Sequence, residues 1–418
     1  VAFIQFNYIP YPLWRRHMPG PLRALAMPFF NHLLAADADL NPPLKPESMA
    51  RFMGRWGLLN GVTESEAAQM LWQGLDVERP RNDVEPQSAP EQPVRLPAQW
   101  ETIDSIILTW PTMYPPLWEQ HAQMVEAITP AAKVIIIVPA PIWGGAAHLF
   151  LARRGKAQFD KIRFVNIPTN DIWVRDYGPI VGLNVQGEQV AVKAIFDPLP
   201  HYSQANDNAM ALRWAAHAEV RAQKLDLHLE GGNLWSDGAG TIILSEQVYS
   251  SNPGLTYETL LEKMRRVFDF QKLIVTPRLK WEETGHVDLV VKLADTQTVL
   301  VSAPTVIYNA GQLRAVADVF RRETNAAGQP YRLLELPTPP FYLNWGVFPV
   351  WRSYTNALTV NGRVLVPVFG LDTDEQALAV YRQAMPNHVI IPIDSRIGAN
   401  GGGTVHCLTK EIPQARSS

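Results

Sequence analysis

Residues Leu96–Pro111 read LPAQWETIDSIILTWP, and a second short apolar run, KVIIIV at Lys133–Val138, follows after a stretch of helical pattern. Runs of this length, rich in β-branched residues, read as buried strands. The same kind of run recurs at Ile162–Ile167, Val190–Ile195, Thr241–Leu244, Lys272–Val275, Val287–Lys292, Val299–Ser302, Ala357–Val360, Val364–Val368, Val389–Ile393 and Val405–Thr409. That many short strands with few helices between them are too strand-rich for a strict βαβαβα series. The pattern predicts an α/β or α+β protein of repeated mixed units, closed rather than spread as one open doubly wound sheet.

Residues 1–95 differ from the rest. The segment Glu78–Pro97 carries Pro80, Pro86, Pro90, Pro93 and Pro97 among charged and small polar residues, which predicts an extended linker. Before it, SMARFMGRWGLL from Ser48 and TESEAAQMLWQGL from Thr63 each predict a helix, and Thr63 with Glu66 forms a capping box. The expected organisation is a small helical N-terminal appendage with its linker over 1–95, then one large unit over 96–418.

The composition narrows the function. Of 418 residues, 47% are hydrophobic and 18% charged, with 13 Trp, which excludes a disordered chain. Lys and Arg number 37 against 40 Asp and Glu, a net charge of −3. No basic surplus points to nucleic acid or an anionic membrane, while a small cationic substrate stays open. A single cysteine excludes an intramolecular disulfide and a Cys-rich zinc site. No apolar window reaches membrane-spanning length. The first thirty residues, with Pro scattered through them and Arg15 and Arg16 in the middle, lack the order of a signal peptide, giving the expectation of a cytoplasmic protein.

That one cysteine, Cys407, closes NGGGTVHC at Asn400–Cys407. A lone cysteine is most often a small buried hydrophobe. Here three consecutive glycines, which let backbone pass close to a bulky group or take positive φ, make it a candidate nucleophile. The segment is no phosphate cradle, because neither Lys-Ser/Thr nor a helix start follows. His286 and Asp288 in GHVD would share one face of the expected 287–292 strand, or else lie on a solvent-facing edge. Without HExxH or a Cys/His cluster, a metal site is not expected. WVRDYGP at Trp173–Pro179 sets Asp176 beside Arg175, and EGGN sets Glu230 before two glycines. Each of these has a bland reading as an ion pair, a core aromatic or a turn; so does Asn356 in SYTNAL. Together, a thiol, a His-Asp pair and further carboxylates suit attack on a flat cation. A guanidinium offers a fork of N–H donors to carboxylates, an electrophilic carbon, and a face on which Trp can stack.

The motifs WVRDYGP, LEGGN, ETGHVD, SYTNAL and GGGTVHC, in this order, resemble the agmatine deiminase and Porphyromonas-type peptidylarginine deiminase family of guanidine-modifying enzymes, the pentein superfamily, from Leu96 to Pro413. The resemblance implies a five-bladed, pseudo-symmetric α/β propeller with a central active site and no cofactor or metal. It assigns Cys407 as nucleophile, His286 as general acid/base, Asp176 and Asp288 as the carboxylates holding the guanidinium, and Glu230 as the acid orienting the histidine. Trp173 becomes the aromatic wall, and Gly402 and Gly403 line the cysteine loop. It further implies a hydrolase of linear amidines working through a covalent thiouronium on Cys407, and a homo-oligomer. Agmatine, giving N-carbamoylputrescine and ammonia, is the first expectation; peptidylarginine, amidino transfer to an amine, or guanidine binding without turnover are the alternatives. Tyr177, the Leu234–Trp235 pair and YSQANDN at Tyr202–Asn208 lean toward the peptidylarginine branch, whereas Leu408–Thr409 after the cysteine lean toward the agmatine branch.

Overall fold

The computed structural model describes residues 45–79, 92–112, 114–196, 204–280, 282, 284–305, 309–344 and 348–415. The expectations for the first 44 residues and for the middle of the linker, 80–91, lie outside these.

The architecture is α/β, built on one repeated unit: an antiparallel strand pair, then a helical crossover to a third strand parallel to the second. Strands β1 (Ile103–Thr109), β2 (Lys133–Val138) and β3 (Ile162–Asn166) run parallel, with the helices Trp118–Ile128 and Pro141–Arg154 as crossovers. In β4 (Ile180–Leu183), β5 (Gln189–Ile195) and β6 (Arg221–His228), the first pair is antiparallel and the second parallel. The same pattern holds for β7 (Trp235–Ser236), β8 (Thr241–Ser245) and β9 (Lys272–Thr276), and for β10 (Val291–Leu293), β11 (Thr298–Ser302) and β12 (Arg332–Leu336). A two-stranded ribbon, β13 (Tyr342–Asn344) with β14 (Phe348–Val350), precedes the next repeat, β15 (Leu358–Val360), β16 (Arg363–Val368) and β17 (Val389–Asp394). The final strand, β18 (Lys410–Pro413), returns to pair antiparallel with β1 and so gives the first sheet the strand it would otherwise lack. Parallel neighbours need a crossover, usually a helix, which is why helical stretches alternate with the apolar runs.

Two expected strands are corrected. Val287–Leu289 is a 3-10 turn, with only Val291–Leu293 extended, and Val405–Leu408 is a turn, with the strand beginning at Lys410. Both apolar runs are buried on every side, so their hydrophobicity reports burial and not strand geometry.

The N-terminal helices form at Pro46–Arg55 and Glu64–Trp72, the second opened by the Thr63–Glu66 capping box. Phe52 from the first meets Trp143 edge-on at 5.5 Å and Trp118 at 6.5 Å, within a cluster that includes Trp110 and Phe150. The linker ends are stitched down as well: Glu78 bridges Val165, Val94 bridges Phe268 and Arg95 bridges Leu183. No helix among the described residues is long and apolar enough to cross a membrane. Because Phe52 is buried against two tryptophans, Phe52→Ala is expected to destabilise the protein by about 3 kcal/mol. A lowered urea midpoint at unchanged slope checks this.

Candidate active site

Each of the five repeated units delivers polar side chains from the segment that enters its outer antiparallel strand. The short helix Val174–Tyr177 before β4 carries Asp176, the Gly231–Asn233 turn before β7 follows Glu230, and the 3-10 turn before β10 carries Asp288 and is preceded by His286. Asn356 precedes β15 and Cys407 precedes β18. A His-Asp pair that alternation on a strand would have put side by side is thus brought together by a tight turn, with Gly285 at φ +65 leading into it.

The loops are tied to one another before any substrate is considered. Asn356 Nδ2 donates to Cys407 Sγ and to Asp288 Oδ2, both at 3.1 Å. Its Oδ1 accepts from the Thr404 and Cys407 amides at 3.1 and 3.3 Å, and its carbonyl accepts from the His406 amide. Arg175 donates its backbone N–H to the Cys407 carbonyl and its Nε to the His406 carbonyl. The acid-base neighbours Arg175 and Asp176 therefore do not form the ion pair their adjacency suggests; Arg175 pairs with Glu411 at 2.5 Å.

Around the thiol stand three carboxylates and an imidazole. Cys407 Sγ lies 3.7 Å from Asp288 Oδ2. His286 Nε2 is hydrogen-bonded to Glu230, while Nδ1 faces Asp176 Oδ1 at 3.6 Å. Gly232 donates to Asp176 Oδ1 at 3.0 Å, and a Cβ there would sit 2.6 Å from His286 Nδ1 and 2.7 Å from that carboxylate oxygen. Gly403 is equally constrained, since a Cβ would lie 2.6 Å from Cys407 Cβ and 2.8 Å from Trp173. Trp173 thereby flanks the cysteine. Gly402 serves differently: at φ +101 it turns the chain, and a Cβ would meet open space. The structure brings Cys407, His286, Asp176, Asp288, Glu230, Trp173 and Gly403 to one place, with Gly402 in the supporting turn.

Electrostatics follow from burying these charges. Burial opposes the charged form of His286, but Asp176, Glu230 and Asp288 outweigh it and push the ring up to about 10, so it is an imidazolium at neutral pH. Burial raises Asp176 to about 6 and Asp288 to about 7 against the pull of His286. Burial first, then Asp288 and Asp176, push the Cys407 thiol well above its ordinary value. Asp288 Oδ1 is buried with no hydrogen-bond partner, although Oδ2 of the same group is crowded with them. Asp176, Glu230 and His286 present ligand atoms within 4.8 Å of one another. The carboxylates of this set can hold a cation.

Sequence reasoning left Asn356 undecided and gave no role to His406, Gln99 or Lys292, all of them buried beside the cysteine loop. The residues that leaned toward one substrate branch are employed inside the fold. Tyr177 is buried and donates to the Asp171 carbonyl. Trp235 stacks on His406 at 4.7 Å. Of YSQANDN, Tyr202 and Ser203 lie outside the described residues; Asp207 Oδ1 accepts from the Asn170 amide and Asn208 Oδ1 from the Phe196 amide.

The model of the Porphyromonas-type peptidyl-arginine deiminase family matches residues 95–413. A Marinomonas sp. (strain MWYL1) protein named "Putative agmatine deiminase" is 29% identical over 357 residues, covering 77% of this chain and 94% of that one. A Vibrio parahaemolyticus protein of the same name is 28% identical over 355 residues, covering 76% and 96%. Among solved structures, the agmatine deiminase of Enterococcus faecalis superposes with a TM-score of 0.68 at 23% identity, covering 78% of this chain and 98% of that one. That of C. jejuni gives 0.65 at 20%, covering 77% and 97%. At these identities the structural likeness speaks for the fold.

With one cysteine in the chain, its reactivity reads out the site directly. Alkylation of the free protein by iodoacetamide is expected to keep rising with pH beyond about 10, where an ordinary thiol of pKa about 8.5 has levelled off. A plateau at or below that pH would show that the carboxylates do not suppress the thiolate.

Proposed function

The chain belongs to the Porphyromonas-type peptidyl-arginine deiminase family, and from that premise and the geometry of the site we propose that it deiminates agmatine to N-carbamoylputrescine and ammonia. It is a hydrolase acting on carbon–nitrogen bonds. The finer reading rests on one observation above the others: buried carboxylates converge on the thiol, and Asp288 Oδ1 is left without a donor. A buried acceptor without a partner is costly, and a guanidinium brings a planar set of N–H donors and a positive charge to set against the carboxylates.

In this reading Asp176 and Asp288 hold the guanidinium, and Trp173 beside Gly403 walls the site. The arriving cation offsets the carboxylates that, after burial, keep the Cys407 thiol protonated, so binding favours loss of the thiol proton to solvent and leaves the thiolate where it is needed. The thiolate attacks the guanidinium carbon; the C–N bond to the departing nitrogen breaks as His286 delivers a proton and ammonia leaves. A thiouronium on Cys407 remains. Water then adds to the same carbon, giving one proton to the now neutral His286, and the C–S bond breaks as the remaining hydroxyl proton passes to solvent, releasing the ureido product and the thiolate. Glu230, bonded to His286 Nε2, keeps the ring oriented and favours its protonated form.

Agmatine is favoured over peptidylarginine because the relatives that align along most of their length carry that name and because Tyr177 and Trp235 are spent on packing. We read the five repeated units, with β18 completing the first, as the blades of a pseudo-symmetric propeller over 96–418, entered through the helical appendage and linker of 1–95. The loops before the outer strands then meet at its centre.

The test is ammonia release from a panel of agmatine, arginine and peptides with internal or C-terminal arginine. Turnover of agmatine that disappears in Cys407→Ala is expected; turnover of a peptide alone would move the substrate to the other branch, and turnover retained by Cys407→Ala would refute the mechanism. The pH profile has a fixed sense. Activity falls on acidification as Asp288 and Asp176 take up protons near 7 and 6, and on alkalinisation as His286 loses its proton near 10. Asp288→Asn and Glu230→Gln should each lower kcat/KM by at least about a hundredfold, as expected for a buried charged partner.

A further inference from the structure

Behind the thiol lies a second histidine that the mechanism above leaves unused. His406 immediately precedes Cys407 and is fully buried. Its Nδ1 lies 2.7 Å from Asp288 Oδ2, and its Nε2 lies 2.7 Å from Gln99 Nε2. The direction of these bonds can be worked out from the far end. The Thr359 amide, which can only donate, points at Gln99 Oε1 at 3.3 Å, and Lys292 Nζ donates to the same oxygen at 2.8 Å. The Gln99 amide is therefore fixed with its NH2 toward His406 and toward Glu411 Oε2. His406 Nε2 must accept, so the proton resides on Nδ1 and is donated to Asp288. The ring is stacked face-on by Trp235, and Lys292 Nζ sits over the Trp235 ring, 4.7 Å from its centroid. Burial and the cations Arg175, Lys292, Lys410 and His286 all hold it in its neutral form.

We infer that His406 is a positioning residue whose Nδ1–H, oriented by the Lys292–Gln99 relay, fixes the Asp288 carboxylate so that Oδ2 is occupied and Oδ1 is offered to the guanidino group. The inference deepens the proposed function and rests on it for the identity of the group that Oδ1 receives. The groups facing Asp288 are His286 from its own turn, Asp176 and Arg175 from the Val174–Tyr177 helix, Glu282 from the preceding loop, Asn356, and His406 and Cys407. Among the uncharged donors His406 makes the shorter bond, 2.7 Å against 3.1 Å from Asn356.

The test compares substitutions that keep or lose a donor at the Nδ1 position. Asparagine places its amide N–H there; glutamine reaches instead toward the Nε2 position, and leucine has no donor. With agmatine as substrate, His406→Asn is expected to retain kcat/KM within about fivefold, whereas His406→Gln and His406→Leu lose about thirtyfold or more, the worth of one hydrogen bond to a charged group. The acid limb of the kcat/KM profile should move to higher pH in the glutamine and leucine variants and stay in place for asparagine, which a merely structural loss would not produce. Equal losses in all three with unmoved acid limbs would overturn the inference. If leucine does not fold, the asparagine–glutamine pair still decides.

A second readout needs no substrate. The pH dependence of Cys407 alkylation should shift in His406→Gln, because Asp288 then holds its proton to a higher pH beside the thiol, and should match the wild type in His406→Asn. Matching curves for all three proteins would contradict the positioning role. A shift confined to glutamine, in a protein that turns over no guanidine, would uphold that role while removing the proposed substrate.

Discussion

The Asp288 carboxylate is the constraint on which the rest of the site depends. It is fully buried, and taking an ionised carboxylate out of water is expensive unless donors surround it. Asn356 and His406 supply donors to one oxygen, His286 supplies a nearby positive charge, and Cys407 stands within 3.7 Å of the same oxygen. Removing any one of these leaves a buried charge short of a partner, so the loops that carry them are held together by the same requirement. The oxygen that none of them reaches, Oδ1, is buried without a hydrogen-bond partner.

The fold makes this convergence inexpensive in sequence terms. Among the described residues, five sheets share one three-strand pattern, the first with β3 added; each enters its outer strand through a short segment, and those segments supply Asp176, Glu230, the His286–Asp288 pair, Asn356 and Cys407 in turn. No single unit contains a working set. The return of β18 to β1 brings the cysteine loop, last in the chain, against Arg175 and Asn356. Glycines appear where loops must touch: at Gly232 and Gly403 any side chain would occupy the space of a reacting or orienting group.

Much of this was legible beforehand. The β-branched runs announced the strands because parallel strands buried on both faces read as continuous apolar segments. The capping box at Thr63 located a helix start because its signal is local. The short motifs named the cysteine, the histidine and the acids. Where the reading failed, the decisive partners were distant. Val287–Lys292 and Val405–Thr409 look like strands, yet Val287–Leu289 and Val405–Leu408 are turns. Arg175 and Asp176, adjacent in sequence, partner separate residues. Gln99 and His406 are hydrogen-bonded across 307 positions of sequence, a relation no window of residues contains. Tyr177 and Trp235 resembled substrate determinants because sequence comparison does not distinguish a residue lining a site from one packed behind it.

The central claim is that the buried carboxylates bind a guanidinium before any bond is broken. Titration calorimetry of agmatine into the Cys407→Ser protein, with and without Asp288→Asn, separates that binding from turnover. The account predicts measurable binding to the single variant and its weakening by about tenfold or more in the double variant. Equal affinity for the two proteins would contradict it.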